Sequence, residues 1–256
     1  MPSRDFIFFA ASPPAVDAPD FLEAVGEVAE PLLDLRYGAD HQRRVLLEEA
    51  VRRELTGLTV MVDGRYASWV EFLQRVLPAE ARVILTFVSP DDERTRRAIA
   101  HFKSRGVVTG VEVDSADAGL AAAVAGADFV VASGNEAGGL VSEKTTLTLL
   151  QEVLEDVHIP VVVRGSLGPR GAAAAMAAGC AGCILDSQLL LLEDAPISDA
   201  LRQSLASAGE GDTQVIGAIS GRPYRFLCVG SEDEREALRE AERASFTGDQ
   251  DAEASL

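Results

Sequence analysis

Two short segments of this 256-residue chain carry the residue types and spacing from which a ligand site could be built. The first runs Ser133-Gly134-Asn135-Glu136-Ala137-Gly138-Gly139. It sets an amide and a carboxylate just ahead of two adjacent glycines. Paired glycines let the backbone approach a flat ligand closely, and the amide and acid could bond that ligand or move a proton. The second, Arg164-Gly165-Ser166-Leu167-Gly168, places small residues ahead of a helical stretch. Backbone N–H groups at a helix start attract anions such as phosphate, although a plain glycine-rich turn has the same composition. Asp186-Ser187-Gln188 follows a third apolar run. Asp34, Asp63, Asp114 and Asp186 each end such a run. Four carboxylates could gather round Mg²⁺, but the commoner use of an aspartate there is to cap the next helix.

The rest of the sequence disfavours other chemistries. The two lysines, Lys103 and Lys144, lie off the apolar runs, so a Schiff-base lysine is not expected. His41, His101 and His158 fall on helical stretches or ahead of a run, which argues against a histidine base or a zinc site. Cys180 and Cys183 form C-x-x-C between small apolar flanks and read as core thiols. With Cys228 the count is three, which suits a reducing compartment. The formal charge of −18 would repel nucleic acid and anionic membranes, so neither is expected as a partner. No stretch approaches the ~20 apolar residues of a membrane span. FIFFAA, with Asp5 ahead of it, reads as a strand and not a signal peptide, and the expected location is cytoplasmic.

Positioning these segments requires a repeating scaffold. Eight β-rich runs occur: Phe6–Ala10, Leu32–Leu35, Leu58–Val62, Arg82–Val88, Val107–Val113, Asp128–Ala132, Ile159–Val163 and Ala181–Leu185. Successive starts are 21 to 31 residues apart. Helical spacing fills most of the gaps, over Asp20–Glu30, His41–Leu55, Asp91–Arg105, Ala116–Ala125, Thr146–Val157 and Arg170–Ala178, with Ile197–Ala208 closing the series. Alternation at this period gives βαβ units and a parallel sheet. Eight units predict an α/β fold, the (β/α)8 TIM barrel, with a doubly wound open sheet as the alternative. The barrel is assigned to residues 1–230. Within it Thr213–Val229 is a mixed segment, a strand pair or a cover. Residues 231–256 form an acidic extension, read as a charged helix and a tail, with nine acids and three arginines. In a barrel the site lies at the carboxyl ends of the strands, with phosphate usually held by loops seven and eight. That rule selects the three segments above.

The stretches GADFVVASGNEAGGLVSEKTTLTLLQEVL and IPVVVRGSLGPRGAAAAMAAGCAGCILDSQLLL resemble the FMN-dependent nitronate monooxygenase family, to which flavin enoyl reductases are related. The likeness is greatest to the nitronate monooxygenase-like domains of large polyketide synthases, and its specific part spans about Ala125 to Leu192. The resemblance implies that Gly134, Asn135, Glu136, Ala137, Gly138 and Gly139 lie along the flavin. It implies that Gly165 and Ser166 meet the FMN phosphate and that Asp186 and Ser187 complete the cup; Gly168 and Gln188 join these cofactor-binding candidates by their place in the same strand-end loops. It also implies a small-molecule or carrier-bound acyl substrate and polyketide synthase domains as partners; separately, helices on a barrel exterior can support a homodimer.

Three positions depart from that pattern. Leu140 stands where the family has its catalytic histidine, and leucine moves no proton. Proton transfer would fall to Asn135, Glu136, Lys144 or a water. Ser166 replaces the second phosphate glycine. Asp186 brings a negative charge towards a phosphate, which Arg164 can offset. Three readings stay open on the sequence: an FMN-dependent oxidoreductase, a catalytically degenerate barrel with a structural or docking role in a synthase, and a barrel enzyme using a phosphorylated metabolite or Mg²⁺.

Overall fold

The structure is a computed structural model that describes residues 6–12, 19–36, 39–65, 67–86, 88–165, 167–193, 195, 197–209, 212–217, 223–227, 236, 237 and 240. Cys228, Ser166 and most of the 231–256 extension lie outside these residues.

Eight parallel strands close a barrel in chain order: β1 (Ile7–Ala11), β2 (Glu30–Asp34), β3 (Thr59–Asp63), β4 (Arg82–Thr86), β5 (Val108–Val113), β6 (Phe129–Ser133), β8 (Val161–Arg164) and β9 (Gly182–Leu185). Closure is made by β1 on β9, with Phe8 opposite Cys183 and Phe9 opposite Ile184. The barrel is therefore the observed alternative, and the open sheet is not. All eight sequence runs became strands, each shifted by two residues or fewer at its start. They were legible because a strand buried on both faces must be apolar throughout.

The helices α1 (Pro19–Val25), α2 (Asp40–Arg52), α3 (Ala67–Val76), α4 (Glu93–Ser104), α5 (Ala116–Val124), α6 (Thr146–Asp156), α7 (Pro169–Ala178) and α8 (Asp199–Ser207) belong to the same alternation. Local chemistry sets several starts. Asp92 accepts the Arg94 N–H, Ser115 the Ala118 N–H, and Ser198 the Leu201 N–H. Helix α1 stops earlier than the spacing suggested. A turn at Gly26 ends it, and Glu30 is needed as the first residue of β2, opposite Phe9. Helix α3 was not foreseen from the sequence. It buries Trp69, Val70, Phe72 and Leu73, and each such side chain contributes roughly 1.5–3 kcal/mol on burial.

Two apolar clusters divide the interior. The outer one joins strands to helices through Leu22, Leu47, Leu73, Ile99, Phe102 and Leu150. Cys180 and Cys183 belong to it, and burial pushes their thiols up to about 12 and about 11 respectively. The inner cluster fills the barrel with Phe9, Leu32, Met61, Ile84, Val131, Val162 and Ile184. Side chains alternate along a strand, so the residue two places on shares the same face. One step towards the carboxyl ends, that rule puts Asp34, Asp63, Thr86, Glu112, Ser133, Arg164 and Asp186 above the apolar filling. This polar ring is the floor of the barrel mouth.

The mixed segment 213–229 contributes a strand pair. β10 (Thr213–Ile216) pairs antiparallel with β11 (Tyr224–Leu227), which pairs in turn with β7 (Gly139–Leu140) in the loop after β6. The chain thus returns to cover the loop that holds the paired glycines. No helix among the described residues is long and apolar enough to cross a membrane.

Candidate functional site

The floor of the mouth is a network of buried charges. Arg164, with a side chain 3% exposed, donates from Nη1 to Glu112 Oε1 at 3.1 Å and lies 2.9 Å from Asp186 Oδ2 through Nη2. Glu112 Oε1 also accepts the Ser133 hydroxyl at 2.6 Å. Its Oε2 faces Arg36 Nη1 at 3.9 Å, an ion-pair distance. Arg36 grips Asp34 through Nε at 2.9 Å and Nη2 at 2.7 Å, while the Asp34 N–H bonds Ser12 Oγ at 3.0 Å. Burial pushes the Asp34 carboxyl upward, but Arg36 and then Arg164 outweigh it and hold it below its ordinary value. Three carboxylates and two guanidiniums are therefore locked together here.

The aspartates at strand ends divide in their use: Asp34 and Asp63 bind nearby arginines, whereas Asp186 caps the short 3-10 helix Ser187–Leu191 that follows it. Asp34 and Asp63 accept N–H groups only two residues on, from Arg36 and Arg65, and bind those guanidiniums. Among the described residues no three His, Cys, Asp or Glu side chains converge as a metal site.

The loop after β6 is built around Thr146, the first residue of α6. Glu136 Oε2 accepts the Thr146 N–H at 2.8 Å and its hydroxyl at 2.7 Å. The Glu136 carboxylate thus acts as an anionic cap on the positive end of α6. A methyl on Gly134 or Gly165 would overlap Thr146, and Gly165 has φ +142, a conformation that side chains rarely adopt. These two glycines are explained by close packing within the chain. Gly138 and Gly168 are different, because nothing lies within 4 Å of where their Cβ would be.

Asn135 is clamped. Its carbonyl accepts from Arg225 Nε at 2.8 Å, its Oδ1 from Arg225 Nη2 at 2.7 Å, and its N–H donates to the Lys144 carbonyl at 2.8 Å. Gly139 has φ +79 and stands opposite Arg225 in the small sheet. Ala137 is fully buried. The Lys144 ammonium is paired with Glu152 on the half-exposed flank of α6. All three groups named for proton transfer therefore have partners within the chain.

The loops after β8 and β9 lie side by side. Gln188 Nε2 donates to the Leu167 carbonyl at 3.3 Å, and Gln188 Oε1 accepts the Asp186 N–H at 3.2 Å. Gly168 opens α7, and no side chain caps that helix. Its first N–H groups are the kind that hold an anion. Ser187 is exposed, and its N–H is bonded at 2.7 Å to Asp186 Oδ1.

The structure brings together Gly134, Arg164, Gly165, Gly168, Asp186, Ser187 and Gln188, and ties Asn135 and Glu136 to the adjoining loop. Sequence reasoning missed Glu112, Thr146 and Arg225. Glu112 had one visible mark, an acid inside the otherwise apolar strand VTGVEV.

Comparison with known proteins bears on this architecture. A 3aS,4S,5R,7aS-configured 5-hydroxy-7a-methyl-1-oxo-octahydro-1H-indene-4-carboxyl-CoA dehydrogenase of Rhodococcus jostii is 36% identical over 188 residues, 71% of this chain and 52% of that protein. The chain spans about half the length of that relative, and less of the Mycobacterium tuberculosis dehydrogenase of the same name, 38% of which is covered. Among solved structures, FabK from Thermotoga maritima superposes with a TM-score of 0.77 at 24% identity, covering 97% of this chain and 78% of that one. The enoyl reductase domain of MlnA, from the macrolactin cluster of Bacillus amyloliquefaciens, gives 0.68 at 14% identity over 92% and 67%. At those identities the structures speak for the barrel alone. The nitronate monooxygenase family model matches residues 33–247, from the end of β2 onward with the floor charges and both loops, and the chain belongs to that family.

Proposed function

We propose that this chain is the barrel part of a flavin-type oxidoreductase acting on an acyl group held as a thioester. The observation that carries the reading is the mouth itself. It combines the uncapped start of α7, the open sides of Gly138 and Gly168 in the loops, and a polar floor of paired charges, in a chain of this family. The thioester follows from the relative in Rhodococcus jostii, whose name specifies a carboxyl-CoA substrate. A carrier-bound acyl group presents the same thioester, and the likeness of residues 125–192 to polyketide synthase domains suits that form. FMN would supply hydride or single-electron transfer.

On the α7 side of the cup the helix start has no side-chain cap and Gly168 has an open side, which suits the FMN phosphate. The β9 side does not fit while the Asp186 carboxyl occupies the Ser187 N–H and lies against Arg164. The chain's own residues are assigned simpler work. Glu112, Ser133 and Arg164 hold the floor, and Arg225 holds Asn135 and the glycine loop in place.

A second reading is favoured by one specific observation. Asn135, Glu136 and Lys144 are each engaged within the chain, and Leu140 takes the histidine position. In that reading the barrel no longer turns over and serves as a docking domain of a synthase, its acidic 231–256 stretch facing a basic partner domain. Turnover separates the two. The full chain is assayed with excess FMN, a reduced nicotinamide and an enoyl-CoA, and separately with a nitronate and oxygen. Flavin-dependent turnover of the thioester supports the first reading. Bound flavin without turnover of either substrate would replace it with the second.

A further inference from the structure

Asp186 is held by a set of donors of the kind that can hold an anion. Its Oδ1 accepts the Ser187 N–H at 2.7 Å and the Ser187 hydroxyl at 3.3 Å. Its Oδ2 is buried, makes no hydrogen bond, and lies 2.9 Å from Arg164 Nη2 as an ion pair. The backbone N–H of Asp186 bonds Gln188, which reaches across to Leu167, so the carboxylate is fixed between the loops after β8 and β9. A backbone N–H at a turn start, a hydroxyl and a guanidinium are the donors that phosphate-binding sites use. Here all three point at a side chain of the same molecule.

We infer that Asp186 is an internal anion that occupies half of this barrel's phosphate site, so that a phosphate-bearing ligand must compete with it for Ser187 and Arg164. The inference rests on the reading that the mouth takes FMN, and deepens it. The charges on the floor show the direction. Asp34, Glu112 and Asp186 face Arg36 and Arg164, so the floor carries one net negative charge with Asp186 present and none without it. A like charge about 4 Å from the phosphate weakens binding by roughly several-fold in a watery site. At an effective dielectric of about 20 the loss is roughly a thousandfold. Asp186→Asn removes the charge and can keep the bond to Ser187, while Arg164 keeps Glu112. Asp186→Gly releases the donors altogether.

The test compares the full chain with Asp186→Asn and Asp186→Gly, with circular dichroism as the check on folding. FMN binding is read by fluorescence quenching, and binding of inorganic phosphate by thermal shift. The expected result is FMN binding at least about tenfold tighter in both variants, and phosphate stabilisation that is greater in them than in the parent. If no form takes FMN but phosphate stabilises the variants more than the parent, the inference stands and the FMN reading falls. If the parent binds FMN as tightly as the variants, the inference falls and the FMN reading stands. If no form responds to FMN or to phosphate, both fall.

Discussion

Replacing Arg164 by methionine would remove the central cation of the barrel floor while keeping most of its volume. The guanidinium is 3% exposed and meets two carboxylates, Glu112 at 3.1 Å and Asp186 at 2.9 Å, whose side chains are 0% and 14% exposed. Removing one partner of such a buried pair leaves uncompensated charge and costs about 3–5 kcal/mol. For a barrel of this size each kcal/mol lowers Tm by about 2–4 °C, so the expected fall is roughly 6–20 °C. Urea denaturation followed by circular dichroism measures the loss directly. Arg164→Lys should fall in between, because an ammonium restores charge without the planar fork that serves both acids. Combining Arg164→Met with Glu112→Gln should recover a large part of the loss, since the stranded carboxylate is then neutral. A single Arg164→Met cost under about 1 kcal/mol would refute the claim that this residue balances the floor.

Three further outcomes follow from the same geometry. Glu136→Ala should cost about 0.5–2 kcal/mol of stability, the range for a lost helix cap, and hydrogen exchange should rise at the start of α6; unchanged exchange there would free Glu136 for another role. Asp34 has its carboxyl held below the ordinary 3.8, so its contribution is complete above that value and is lost as pH falls through the lowered folded value. The gap in urea midpoint between the parent and Asp34→Asn should be constant above about pH 5 and shrink below about pH 4, and a gap independent of pH would contradict the pairing. Cys180 and Cys183 are buried with thiols raised to about 12 and about 11, so a Cys228→Ser variant should react with a thiol reagent at pH 8 only after denaturation.

The barrel was legible because each strand is buried on both faces and so announces itself as a short apolar run. The loops were legible because glycines cluster at two strand ends. Helix α3 was missed although Trp69, Val70, Phe72 and Leu73 keep helical spacing. Its first turn carries no acidic residue to mark a start, unlike α4 and α5 with Glu93 and Asp117. The meaning of individual glycines was also hidden. Gly134 and Gly165 read as ligand contacts, and no sequence signal showed that packing against Thr146 also requires glycine there, because that approach depends on how α6 docks. Pairings across the fold were the hardest to see. Glu112 meets Arg164 52 positions away, and Arg225 meets Asn135 90 positions away. No local pattern encodes such partners; barrel closure and the returning strand β11 bring them together. The opposition of Asp186 and Arg164 was readable, because both were already assigned to neighbouring strand ends.

The most direct measurement is the visible absorption spectrum of the purified full chain, before and after incubation with excess FMN and desalting. If the Asp186 carboxylate already occupies the donors of the phosphate cup, the protein is colourless as purified, takes up flavin only while FMN is in excess, and loses it on desalting. A protein that purifies yellow, or keeps stoichiometric FMN through desalting, would contradict that account and show that Asp186 yields its place readily.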